Sequence, residues 1–167
     1  MIDLREKRER FPIFVTFLCL VTTEPVVCTG DPKTTYQYAT RTPPECTNYT
    51  LNTDLTRNIG YTSSIDLCDN IDPFINGTEV WIRFDSPAGT VIPKESISLN
   101  RCGAIATGWY AGQYPESEYS TATSIVCFYE NTNTCGSCRR ISITNCRRFF
   151  VFLLPIPPSC NHRYCTV

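Results

Sequence analysis

The stretch SIVCFYENTNTCGSCRRISITNCRRFFVFLL, residues 124–154, decides the fold. Ser124–Tyr129 is rich in β-branched and aromatic residues, the composition of a half-buried strand. Arg140–Asn145 alternates, with Ile141 and Ile143 on one face. Phe149–Leu154 is a continuous apolar run, the pattern of a strand covered on both sides. Pro155, Pro157 and Pro158 stop it. Upstream, Asn76-Gly77 signals a turn before Glu79–Phe84, where Val80, Ile82 and Phe84 share a face. Pro87-Ala88-Gly89 turns the chain again. Leu51–Leu67 is less regular and leaves room for a short helix. The fold class expected is mainly β: a small disulfide-rich extracellular domain with short strands and long loops.

The disulfide expectation comes from the cysteines and the N-terminus. Nine of the eleven cysteines lie between Cys46 and Cys165. Ahead of them, the basic-leaning flank MIDLREKRER precedes the apolar run Phe11–Val21, the layout of a secretory signal. The run is too short to span a bilayer, which takes about 20 apolar residues. The organisation expected is a signal peptide over 1–30, a Thr/Pro-rich linker over 31–45 and a cysteine-bearing domain over 46–165. Cleavage falls either near Thr23 or after Gly30, and only the first choice keeps Cys28 in the mature chain. A secreted cysteine-rich chain is oxidised and stapled. Each bridge typically contributes ~2–4 kcal/mol, mainly by restricting the unfolded chain.

Composition removes several classes of function. The net charge of −1 gives no reason to expect nucleic acid or an anionic membrane as partner. No membrane span is expected in the mature chain, since Phe149–Ile156 has only eight residues. No G-x-S-x-G motif, paired catalytic carboxylates or Gly-rich phosphate loop occurs. His162 is the only histidine and is read as loop surface between Cys160 and Cys165. No catalytic residue, cofactor or metal is therefore expected. Two constellations remain as a candidate ligand surface. Trp109 and Tyr110, with Tyr114, sit in the loop-like GWYAGQYP and either stack on sugar rings or plug the core. Arg139, Arg140, Arg147 and Arg148 flank Ile141–Asn145 and would suit a sulfated glycan or carboxylate if a hairpin gathered them at one end. The plainer reading is that they protect strand ends from mispairing.

The cysteine order carries a resemblance. Cys46 with Asn48-Tyr49-Thr50, Cys68-Asp69, Trp81-Ile82-Arg83-Phe84, Cys102-Gly103, Gly108-Trp109-Tyr110, Cys127, Cys135, Cys138 and Cys146 come in sequence. Arg148–Phe152, Pro157-Pro158-Ser159-Cys160 and Arg163-Tyr164-Cys165 complete the series. The pattern resembles the eight-cysteine domain shared by uromodulin, pancreatic glycoprotein 2 and the liver-specific zona-pellucida protein. It covers Cys46 to Cys165. The resemblance implies a non-enzymatic extracellular glycoprotein and the pairs Cys46–Cys146, Cys68–Cys160 and Cys102–Cys165, with Cys127 joined to either Cys135 or Cys138. The ninth cysteine is then left to pair with Cys28, to pair between molecules, or to stay free. The oligomeric state stays open with it. In uromodulin-like members a mannose-rich glycan on this module captures bacterial adhesins. Its place is taken here by Leu153-Leu154-Pro155, and a second family sequon aligns with Ala111-Gly112-Gln113. Adhesin capture is therefore not carried over. The sequons of this chain are at Asn48 and Asn76.

Cys135-Gly136-Ser137-Cys138 also fits a redox C-x-x-C, but no βαβ context surrounds it, and zinc would need two further ligands. The function expected is a secreted, non-catalytic binding or adhesion module for an unidentified extracellular protein or glycan. The alternatives are a secreted thiol–disulfide redox protein using 135–138, and a structural matrix component or fragment of a mosaic glycoprotein.

Overall fold

The computed structural model describes residues 28, 32–62, 67–69, 74 and 78–167. The signal-peptide reading of 1–30, Cys28 apart, lies outside these residues, as does Asn76. Among the described residues eight strands form one sheet: β1 (Thr35–Tyr38), β2 (Thr50–Asn52), β3 (Val80–Phe84), β4 (Ala106–Tyr110), β5 (Ser120–Glu130), β6 (Asn133–Asn145), β7 (Phe150–Leu154) and β8 (His162–Tyr164). The order is β2-β3-β7-β6-β5-β4-β8, and β1 pairs with β5 beside this path. The chain is mainly β and disulfide-rich, as its sequence pattern requires.

The β5–β6 hairpin is the spine. It runs in antiparallel register from Thr121 opposite Thr144 to Glu130 opposite Asn133. Asn131 takes φ 54° at its tip, a backbone region that asparagine tolerates better than most residues. Period-two alternation divides the hairpin into two chemically distinct faces. Val126, Phe128, Ile141 and Ile143 point into the main core, where Ile82, Phe84, Phe152, Leu154, Tyr110 and Tyr164 meet them. The opposite face pairs Thr121 with Thr144 and Thr123 with Ser142, each through hydroxyls 2.8 Å apart. Farther along that face Ile125 stands across from Arg140, and Cys127 across from Cys138. One face is thus an aliphatic and aromatic core. The other is closed by disulfides and half-buried aromatics in two smaller clusters. Val151 of β7 belongs to one of these clusters while Phe152 and Leu154 belong to the main core, which is why the run is apolar throughout.

Two parallel pairings close the ends, β2 with β3 and β4 with β8. The second needs a glycine. A Cβ at Gly108 would stand 2.7 Å from the Arg163 carbonyl oxygen, so a side chain there would push β8 off β4. Gly89 has φ 112° and lies against the Val167 backbone, where a Cβ would meet the carbonyl oxygen at 2.6 Å.

One segment differs from the sequence expectation, and a second fills in a stretch the sequence left open. Within the 31–45 linker, Thr35–Tyr38 forms β1, antiparallel to β5 from Thr35 opposite Thr123 to Tyr38 opposite Ser120. The edge of β5 beyond the end of β4 is open there, and an extended Thr/Tyr segment satisfies its backbone groups. In Leu51–Leu67 the described residues hold no α-helix: β2 is followed by a single 3-10 turn at Leu55–Arg57, whose Thr56 amide is capped by the Asp54 side chain.

Candidate functional site

Five disulfides join all ten cysteines among the described residues. They link Cys28 to Cys138, Cys46 to Cys146, Cys68 to Cys160, Cys102 to Cys165 and Cys127 to Cys135. Cys135 and Cys138 of the C-x-x-C therefore stand in separate bridges, not in one. Cys127 faces Cys138 across the hairpin, and Cys127, Cys135 and Cys138 share one buried cluster with Ile125 and the half-buried Trp109. The sequence left the partner of Cys127 open; the structure gives it Cys135 and gives Cys138 to Cys28.

The aromatic candidates separate. Trp109 and Tyr110 lie on β4, not in a loop. Their side chains alternate across the sheet, so only Trp109 reaches the disulfide face, where its Nε1–H donates to the Thr134 carbonyl at 2.7 Å. Tyr110 is fully buried in the main core, edge-on to Tyr114 with ring centroids 5.2 Å apart. Burial pushes its hydroxyl well above the usual tyrosine pKa. Tyr114 donates to the Ile92 carbonyl at 2.7 Å and packs edge-on to Phe150. Tyr110 is thus a core residue and offers no stacking surface.

The four arginines do not gather. Arg139 and Arg140 are inside β6, because the strand begins at Asn133, not beyond them. Their side chains alternate. Arg139 is half-buried, with Nε–H donating to the Ile156 carbonyl at 3.1 Å, and Arg140 is exposed on the opposite face. Arg147 and Arg148 occupy the β6–β7 turn, at the far end of the strand. At about 3.4 Å of rise per residue, Arg139 and Arg140 are already roughly 17–20 Å from the end of β6 at which the turn begins.

His162 is not loop surface. It lies on β8 opposite Ala106, is 4% exposed, and its ring stands edge-on to Phe128. Nδ1 is 2.6 Å from Ser159 Oγ. Nε2 contacts Glu130 Oε1 and is 2.9 Å from Ser137 Oγ, which itself donates to Glu130 at 2.7 Å. Burial opposes ionisation of Glu130, but the hydrogen bonds from Ser137 and His162 outweigh it and hold its carboxyl below the usual range. Desolvation likewise opposes the charge of Asp54, and hydrogen bonds from Thr56 with the nearby Arg163 and Arg57 lower it. A carboxylate whose folded pKa is depressed stabilises above its unfolded pKa and loses that contribution as pH falls through the folded value. Acidification from pH 7 is therefore expected to leave stability flat until about pH 5 and to erode it below about pH 4. Urea midpoints of the native protein and of Glu130→Gln, measured from pH 7 to pH 3, check this. The variant should show the shallower acid limb, and parallel limbs would contradict the assignment.

A buried ion network, not singled out by the sequence, joins the segments around β8. Asp69 has a fully buried side chain and accepts from Arg57 through both oxygens, at 2.6 and 2.9 Å, and from the Tyr164 amide at 3.1 Å. Arg163 Nε lies 3.6 Å from the same carboxylate. The rest of the Arg163 guanidinium reaches Asp54 at 2.6 Å, Thr56 Oγ1 at 2.9 Å and the Cys102 carbonyl at 2.8 Å. The network ties Cys68-Asp69, the 3-10 turn and Arg163-Tyr164-Cys165 into one unit. Its role is structural.

Elsewhere, Arg83 of β3 lies over Phe149, with its guanidinium carbon 4.2 Å from the ring centroid. It donates to Tyr49 Oη at 3.1 Å and to Asp85 at 2.8 Å. A cavity of about 280 Å³ opens beside it, with Arg147 and Arg148 on its far wall. Among the described residues there is no group of His, Cys, Asp or Glu arranged to hold a metal ion, and no helix long and apolar enough to cross a membrane.

Comparison with known proteins agrees with this architecture. The family model for the uromodulin-like eight-cysteine domain matches residues 82–166. Mouse (Mus musculus) uromodulin is 28% identical over 91 residues, which is 54% of this chain and 14% of that protein. The dog (Canis lupus familiaris) pancreatic secretory granule membrane major glycoprotein GP2 is 27% identical over 128 residues, 76% of this chain and 24% of that protein. The human (Homo sapiens) protein of the same name is 26% identical over 123 residues, 73% and 22% of the two chains. The chain thus spans less than a quarter of the length of these relatives. Five disulfides in a domain of this size belong to an oxidising compartment, and the module is secreted and extracellular. The matched strands, the cysteine framework and the relatives lead to one assignment: the chain belongs to the uromodulin-like eight-cysteine domain family.

Proposed function

We propose that this chain is a secreted, non-catalytic binding or adhesion module that recognises an extracellular protein or glycan through a rigid surface. The observation that carries the reading is the division of the C-x-x-C: Cys135 is bonded to Cys127 and Cys138 to Cys28. A thiol–disulfide catalyst cycles one exposed pair between dithiol and disulfide. Here one sulfur staples the β5–β6 hairpin and the other ties that hairpin to Cys28 in the N-terminal segment, and both cysteines are buried. Membership in a family of glycoprotein modules supports the same reading. N-glycans at Asn48 and Asn76 belong to the proposal. Asn48 is exposed just after the 3-10 turn at Pro44–Cys46, within reach of a transferase.

Two measurements on the oxidised, secreted protein test the reading. In an insulin-reduction assay with a thiol donor it should show no activity above buffer. On an array of extracellular glycans and proteins it should retain at least one ligand class in a saturable manner. Turnover of insulin that disappears in a Cys135→Ser variant would overturn it in favour of the redox alternative.

A further inference from the structure

We propose that the cleft between β3 and the β6–β7 turn is an anion-binding subsite for an acidic group carried on a glycan, a sulfate or a carboxylate. The inference rests on the binding-module reading and names the ligand chemistry of one site within it.

The turn is built to present cations. Arg147 takes φ 72°, the left-handed region that a tight turn uses, and both Arg147 and Arg148 line the cleft. Arg147 Nε is 3.0 Å from Glu118, and its guanidinium lies over the Tyr119 ring. Arg148 is exposed and makes no ion pair with a described residue. Across the 280 Å³ cleft stands Arg83, whose Nε is buried without a hydrogen-bond partner. A second depression of about 410 Å³ shares Arg147, Arg148 and Phe149 on the other side of the turn. Around the turn, three guanidiniums stand against two acids, Asp85 in the first depression and Glu118 in the second, and one positive charge is left over.

The ion pairs present are exchangeable. The Arg147 and Glu118 side chains are each 58% exposed. An exposed pair of this kind is weak and screened by salt, so a ligand acid competes with Glu118 on nearly equal terms. Guanidinium forks match planar carboxylates and sulfate oxygens through paired N–H donors, which a lysine could not reproduce. Phe149 keeps Arg83 in place by cation–π stacking, so this donor is ordered before the ligand arrives. The depressions are shallow and small, of a size for one or two sugar rings. In the extracellular compartment the acids on such rings are sulfate esters and carboxylates. Arg139 and Arg140 take no part, being in the middle of β6 and outside both depressions.

The test is binding of the disulfide-intact secreted protein to a heparin-derived hexasaccharide at 150 mM salt, a hyaluronan hexasaccharide, and the fully desulfated, N-acetylated form of the first. Binding of the first alone assigns sulfate; binding of all three assigns carboxylate. Arg148→Ala and the double variant Arg147→Ala/Arg148→Ala should weaken binding at least tenfold, while Arg140→Ala should leave it unchanged. Unaltered near-ultraviolet circular dichroism checks that the variants fold. Equal losses from Arg140→Ala and Arg148→Ala would mean diffuse charge attraction and would overturn the site. If the native protein binds none of the three yet holds a neutral glycan or protein on the array, the subsite fails while the binding-module reading stands.

Discussion

Replacing Asp69 by alanine is expected to destabilise the module by about 3–5 kcal/mol and to abolish its secretion as a folded domain. The reason is asymmetry. The carboxylate neutralises Arg57, which is 5% exposed and bonded to it through two N–H groups, and it lies beside Arg163, which is 3% exposed. Desolvation disfavours the charge of Arg57, and the partnership with Asp69 raises its pKa. A guanidinium stays protonated in proteins even without such a partner, so the cation persists when Asp69 is removed. Alanine leaves that charge buried and unpaired, and leaves the Tyr164 amide without an acceptor. Asp69→Asn keeps the shape and one acceptor oxygen but not the charge, and should fall between alanine and native. Chemical denaturation of refolded protein, or the secreted yield where refolding fails, measures the series. An alanine variant within about 1 kcal/mol of native would mean that water or rearrangement compensates the arginines.

Removing the Cys46–Cys146 bridge as a double serine variant is the second large effect. The bridge spans 100 residues of sequence, and an isolated loop of that size is worth about 4.7 kcal/mol in chain entropy. The other four bridges already shorten the effective loop, so about 2–4 kcal/mol is expected, seen as a melting point lower by roughly 5–15 °C. Part of the loss is local, since the bridge packs with Val151 beneath Tyr49, Trp81 and Phe149. The Cys127–Cys135 bridge spans only 8 residues and joins β5 to its hairpin partner β6, so its removal should cost less. The reverse ranking would show that enthalpy at the hairpin tip outweighs chain entropy.

The strands were legible where alternation is clean. Val80, Ile82 and Phe84 on one face, and Ile141 with Ile143, follow from period-two patterning and stand in the core. Boundaries were less legible. β5 begins at Ser120 and β6 at Asn133, because hydroxyl and cysteine pairs that carry no apolar signal extend the ladder. That extension is why Arg139 and Arg140 sit mid-strand instead of at its end. β1 was hidden for a related reason: all four of its residues are exposed, so nothing in Thr-Tyr-Gln-Tyr announces a buried face. Tyr110 read as a loop aromatic because Gly108 precedes it, while the glycine serves the close approach of β8. The ion network was the deepest omission. Arg57 and Asp69 are 12 residues apart and Arg163 is far from both in sequence, and two of the three lie close to cysteines. Only long-range closure brings them together.

Peptide mapping of the secreted, thiol-blocked, non-reduced protein tests the central claim most directly. A static stapled scaffold predicts a peptide linking Cys135 to Cys127 and another linking Cys138 to Cys28, with none of these four cysteines alkylated, before or after mild reduction. A Cys135–Cys138 bridge that opens under mild reductant and takes up two alkyl groups would contradict it.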